Sequence, residues 1–125
     1  MYRVSIRKDF LAYHYLIGGD WGAENEKHSH PYRAEIELVG ETLDQHNYLV
    51  DIVDIEKHLT EMIDHYEGKC LNDFPEFSNQ NPSIELFSRI LCKKMNQAIK
   101  EATIRKVIVR LWENESAWAS YEVER

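Results

Sequence analysis

From Tyr2 to Ala12 the chain alternates: Tyr2, Val4, Ile6, Phe10 and Ala12 fall on one parity, and Arg3, Ser5, Arg7 and Asp9 on the other. A period of two marks a strand with one covered face. His14 falls on the apolar parity. The stretch "IGGDWGAEN", from Ile17 to Asn25, is glycine-rich and acidic and reads as an irregular loop. A second alternating run follows, in which His28, His30, Tyr32, Ala34, Ile36 and Leu38 share one face while Arg33, Glu35 and Glu37 take the other. From about Asp51 to Tyr66 the apolar positions Ile52, Ile55, Leu59, Met62, Ile63 and Tyr66 keep helical spacing, with Gly68 as terminator. The segment "GKCLNDFPEFSNQNPS" has the turn residues of a loop. A second helix is expected to begin near Asn81 or Ser83, with Pro82 in its first turn, and to run to about Ala102. Its buried stripe is Ile84, Phe87, Leu91, Met95 and Ala98, with Cys92 at the edge. The last part, "IRKVIVRLWENESAWASYEVE", reads as two strands joined by a tight turn around Asn114 to Ser116, and Val107, Val109, Leu111 and Glu113 share a face.

The order ββααββ predicts an α+β domain, a four-stranded antiparallel sheet with two helices on one face, spanning residues 1–125 as a single unit. Two open sheet edges invite pairing with another copy, so a homo-oligomer is expected. Fifteen basic against twenty-two acidic residues leave a formal charge of −7, which argues against nucleic acid or a membrane surface as partner. Cys70 and Cys92 lack CxxC spacing, the N-terminus "MYRVSIRKDF" is unlike a secretory segment, and no run is long enough to span a bilayer. A reduced, cytoplasmic setting is the expectation.

The candidate chemistry starts at His28 and His30, one residue apart at the head of a strand and therefore pointing the same way. If the first two strands pair, His14 joins them. Three neutral imidazoles with a fourth position open make a catalytic zinc site. Without the third ligand, an H-x-H is equally two exposed histidines near a loop. Asp64 and His65, near the end of the first helix, have the composition of a general acid–base pair. Adjacent helical residues do not face each other, however, so that pairing would need irregular local geometry. Glu113 interrupts an apolar strand face. It marks either the strand's wet end or a carboxylate receiving the paired donors of a guanidine-like heterocycle edge.

Six segments in order resemble one family: "FLAYH" its F-S-A-A-H, "HSHPY" its H-G-H-N-Y, "YLVDIVDIEKHL" its G-M-V-x-D-F-x-x-L-K, "IDHYEGKCLND" its L-D-H-x-x-L-N-D, "NPSIEL" its N-P-T-x-E-N, and "LWENESAWASY" its strand bearing E-T. Together they cover essentially the whole chain, which resembles the 6-pyruvoyl- and 6-carboxy-tetrahydropterin synthases of the tunnelling fold. The resemblance implies zinc on His14, His28 and His30, proton transfer by Asp64 and His65, and a pterin ring anchored by Glu113, with Ser83 and Glu85 near the pocket. It implies trimers stacked as hexamers, with the pterin at a subunit interface completed by a neighbour. The implied substrate is 7,8-dihydroneopterin triphosphate, and Arg7, Lys8 and Lys27 are candidates for its phosphates by proximity to the motifs.

One departure bears on the reaction. The family has a catalytic cysteine shortly before H-G-H, where this chain reads "WGAENEK"; Glu24 stands four residues before His28, and Glu26 is a second candidate. A branch with glutamate there releases 6-hydroxymethyl-dihydropterin, a folate precursor. The expected activity is therefore a zinc-dependent pterin synthase or lyase, with a 6-pyruvoyl or 6-carboxy product serving pterin or 7-deazapurine (queuosine) synthesis. The glutamate-type cleavage and an inactive zinc- and pterin-binding oligomer are the alternatives.

Overall fold

Strands β1 (Tyr2–His14) and β2 (His28–Gly40) pair antiparallel over their full length, from Tyr2 opposite Gly40 to His14 opposite His28. The computed structural model describes all 125 residues. Helices α1 (Ile52–Tyr66) and α2 (Ile84–Ala98) follow, then β3 (Ile104–Trp112) and β4 (Trp118–Glu124), and the sheet order is β1-β2-β3-β4. Every pairing is antiparallel, as the alternating patterns require. The architecture is the predicted four-stranded sheet with two helices.

Each helix starts at a side-chain cap. Asp51 accepts from the Val53 amide, and Ser83 from the Leu86 amide at 3.1 Å. Such a cap contributes about 1 kcal/mol. Pro82 therefore precedes the helix instead of sitting in its first turn. The α2 helix also stops at Ala98, short of the expected Ala102. Ile99 leaves helical geometry and is buried, and the Arg125 guanidinium, reaching back from the end of the chain, donates to its carbonyl at 3.0 Å. A long-range clamp thus ends a helix that no local breaker would end.

The covered face of the sheet and the inner faces of both helices form one core that includes Phe10, Tyr32, Ile36, Ile55, Phe87 and Leu91. Burial deepens along β1 from the exposed Tyr2 to Phe10, Ala12 and His14, so the histidines lie at the covered end. The opposite face of the sheet is charged. There Arg110 bridges Glu35 at 2.9 Å and Glu37 at 3.6 Å, and Arg3 meets Glu37 at 3.0 Å. No helix is long and apolar enough to cross a membrane.

Candidate metal centre

The β1–β2 register builds the centre. His14 stands opposite His28, and His30, opposite Ala12, lies two residues further on the same face. The three rings pack edge to face with centroids 4.6, 4.7 and 4.9 Å apart, and their ligand atoms all lie within 4.8 Å of one another. His28 Nδ1 is 2.8 Å from the Glu26 carbonyl. A carbonyl can only accept, so Nδ1 carries the hydrogen and Nε2 is left bare. His14 Nδ1 is likewise engaged, 3.1 Å from the Tyr32 hydroxyl. That is the outer support a metal-ligating histidine uses to fix its ring and tautomer.

The Nε2 atoms of His28 and His30 are buried with no hydrogen-bond partner. Unpaired buried nitrogens are costly unless something else satisfies them, and a cation shared among them would do so. His14 is held neutral, its pKa pushed down to about 4 by burial first and then by the neighbouring imidazoles of His30 and His28. Neutral imidazole is the form that binds metal. The donor set therefore fits the zinc that the sequence predicts, with His14, His28 and His30 as holders.

Glu113 approaches two of these three histidines. It follows the last residue of β3 on the parity of Leu111, which pairs with Ala34, and so it faces the same side as Tyr32 and His30. Its Oε1 lies 3.0 Å from His30 Nε2 and 4.0 Å from His14 Nε2. The shorter approach lacks the direction of a hydrogen bond, since His30 Nε2 remains unpartnered. Burial, and after it the Glu113 charge, keeps the Tyr32 hydroxyl protonated. A cavity of about 390 Å³ opens near the end of β3, lined among others by Asp9, Arg33 and Trp112, which are aligned across the sheet on the parity opposite Tyr32 and Glu113.

Other predicted residues are not brought to this group. Glu24 lies in a short turn, Gly22–Asn25, and both it and Glu26 expose their side chains; what Glu26 supplies is its carbonyl, to His28. Asp64 and His65 are exposed in the last turn of α1, where His65 packs on Tyr66 and Phe74 and lines a groove with His58 and Lys94. Five residues, Tyr66 to Cys70, separate His65 from Leu71, against two in the motif the segment resembles. This longer segment docks on β1. Gly68, with φ 72°, donates to the Leu11 carbonyl at 2.7 Å, and the Glu67 carboxylate accepts from the Leu11 amide at 2.8 Å. Ser83 is occupied as the α2 cap, and it lines, with Glu85 and Arg89, a different groove. Of the phosphate candidates, Lys27 lies over the Tyr13 ring, while Arg7 and Lys8 flank a cleft beside Thr60. Cys70 and Cys92 are buried and free, and burial pushes the Cys92 thiol up to about 11.

Sequence reasoning missed two asparagines. Asn72 accepts from the Tyr15 amide at 3.0 Å and donates to the Tyr15 carbonyl at 2.9 Å; Asn81 does the same for Ile17 at 2.7 and 3.2 Å. Each side chain imitates a paired strand residue, so the chain leaving His14 is held as if the ladder continued. Their places in L-N-D and N-P-S were the available signal. Asn81→Ala, which strands two part-buried backbone groups, is expected to cost about 1–3 kcal/mol and to speed amide exchange between residues 15 and 26. Exchange mass spectrometry reads both effects, and unchanged protection there would deny the clamp.

A family model described as 6-pyruvoyl tetrahydropterin synthase matches residues 3–124. No curated protein matches the chain by sequence. Among solved structures, a Plasmodium vivax 6-pyruvoyltetrahydropterin synthase with its catalytic glutamate changed to alanine is 13% identical, with TM-score 0.82 over 99% of this chain and 98% of that one. The Caenorhabditis elegans 6-pyruvoyl tetrahydropterin synthase is 19% identical, with TM-score 0.75 and the same coverage. A more distant likeness, TM-score 0.51 at 14% identity over 99% and 89% of the two chains, is to a Burkholderia dihydroneopterin aldolase bound to guanine. At these identities the structures speak for the tunnelling fold, while the family model reaches almost from end to end. The chain belongs to the 6-pyruvoyl tetrahydropterin synthase family.

Proposed function

We propose that the protein is an enzyme acting on the side chain of 7,8-dihydroneopterin triphosphate, with zinc held by His14, His28 and His30, and forming a 6-pyruvoyl- or 6-carboxy-tetrahydropterin. The observation that supports it most is the convergence of the three imidazoles with two buried, unpartnered nitrogens. A bound zinc ion would supply Lewis acidity, lowering the pKa of a side-chain hydroxyl. The chain's own residues do the rest. The Glu113 carboxylate receives the adjacent N–H and amino donors of the pterin ring. Asp64 and His65 touch nothing in this chain's histidine cluster; in the proton-transfer role they would serve the site of a neighbouring copy in a homo-oligomer, trimeric or hexameric.

A second reading has its own support. The segment before His28 offers two carboxylates and no thiol, and one structural relative has a catalytic glutamate. A carboxylate of Glu24 or Glu26 would take the proton from the hydroxyl on the second side-chain carbon. The bond between the first and second carbons then breaks, the second leaves as an aldehyde, and the electron pair on the first, conjugated with the ring, takes a proton. The product is 6-hydroxymethyl-dihydropterin.

Mass spectrometry of the zinc-loaded protein after incubation with 7,8-dihydroneopterin triphosphate tests both. A 6-pyruvoyl or 6-carboxy product is the first outcome. A 6-hydroxymethyl product, lost in a Glu24→Ala, Glu26→Ala double variant, is the second. Binding of zinc and pterin without turnover would leave an oligomeric binding module and end both readings.

A further inference from the structure

The ladder between β1 and β2 ends at the rung His14–His28, yet the two segments stay tied beyond it. The Leu16 amide donates to the Glu24 carbonyl at 2.9 Å, and the Leu16 carbonyl accepts from Asn25 Nδ2 at 3.0 Å. We infer, on the reading that His14, His28 and His30 hold a metal, that Asn25 is a positioning residue of that centre. It holds the loop so that the Glu26 carbonyl fixes the ring and tautomer of His28.

The Asn25 side chain is fully engaged. Besides Leu16, its Nδ2 donates to the Gly19 carbonyl at 3.0 Å, and its Oδ1 accepts from the Trp21 amide at 2.8 Å. A side-chain amide has two donor hydrogens and one acceptor oxygen, and here all of them go to the backbone between His14 and His28. Gly18 to Glu24 are exposed, so no core holds this loop, and Asn25 is half-buried at its centre. With few apolar contacts to order the segment, these side-chain bonds carry most of its local stability.

The next residue passes the effect to the metal ligand. The Glu26 amide donates to the Ala23 carbonyl at 3.1 Å, inside the loop, and the Glu26 carbonyl lies 2.8 Å from His28 Nδ1. A neutral imidazole carries its hydrogen on either nitrogen. Only the tautomer with Nε2 bare offers that buried, unpartnered atom to a cation. A carbonyl held in place selects it, and a carbonyl on a loosened loop does not. The site therefore depends on a residue that touches none of its three ligands.

Nitrogen NMR of the metal-free protein at alkaline pH, where imidazole is neutral, reads the His28 tautomer, and chelator competition reads the zinc affinity. In the wild type the hydrogen is expected on Nδ1. Asn25→Ala should give a mixture of tautomers and weaken zinc about 10–100-fold. Asn25→Asp, which keeps the acceptor for Trp21 but loses both donors, should do the same. Asp20→Ala, which removes only the bond from the Gly22 amide in the same loop, should change neither reading. A wild-type His28 with its hydrogen on Nε2 would overturn the inference whether or not the variants fold. So would a folded Asn25 variant with the wild-type tautomer or the wild-type affinity, and both results leave the metal reading intact. A wild type that binds no zinc would overturn the metal reading and the role of Asn25 with it.

Discussion

His28→Ala should empty the metal centre and leave the fold standing. His28 sits at the first position of β2, half-buried, and its ring is already aimed by the Glu26 carbonyl. Removing it takes one of three donors from a set that has no spare imidazole. Metal measured by atomic emission should fall from about one per chain to under roughly a tenth, since two neutral imidazoles leave most of the coordination sphere to water. If the metal supplies about 4 kcal/mol of transition-state stabilisation, turnover of 7,8-dihydroneopterin triphosphate falls roughly a thousandfold. The metal-free variant should melt within about 1 kcal/mol of the metal-free wild type, because what is deleted is a strand-end side chain whose Nε2 had no partner. His58→Ala is the control. That imidazole pairs with Asp54 at 3.6 Å on the surface of α1, and its loss should leave the metal content unchanged. Full metal content in His28→Ala would show the ligand set to be wrong.

The His28–His30 pair was legible because strand parity is local: alternation alone puts both on the side of Tyr32 and Ala34. His14 was legible one step further, since its parity could be read but its nearness to His28 depended on the two strands pairing in one register. That register runs through thirteen ladder positions, and no window of sequence contains both partners. Glu113 was legible as a carboxylate on the wrong face, but not as a neighbour of His30, because that contact joins the end of β3 to the beginning of β2. The early end of α2 was hidden for the same reason. Nothing in "NQAIKEA" stops a helix; Arg125, twenty-six residues on, holds the Ile99 carbonyl. Asp64 and His65 show the limit from the other side. Their identity could be read from a motif, but the structure leaves them exposed in the last turn of α1 and does not bring them to the three histidines, a placement that no motif carries.

Phe87→Ala should cost about 3–5 kcal/mol, the largest loss of stability expected from one substitution in this chain. Phe87 is fully buried in α2, and its ring meets those of Phe10, Tyr32, Tyr66 and Phe77 with centroids 5.1–6.0 Å away. Deleting it removes the shared partner of rings from both strands, α1 and the connecting loop, and no single neighbour can fill the space. Denaturant melts should show the midpoint falling with little change in slope. The effect should also reach the metal. Tyr32 is held between Phe10, stacked at 5.3 Å, and Phe87, and its hydroxyl is what fixes His14 Nδ1. A loosened Tyr32 leaves the His14 ring free to turn, and loss of an outer-shell support of this kind weakens metal binding about 10–100-fold. Phe87→Leu, which keeps most of the volume, should recover most of the stability and of the affinity together. Were stability recovered and affinity not, the core would not be what orients His14. His28→Ala loses metal with the fold retained, whereas Phe87→Ala loses stability first and metal affinity as its consequence; the two profiles separate a ligand from the packing that aims one.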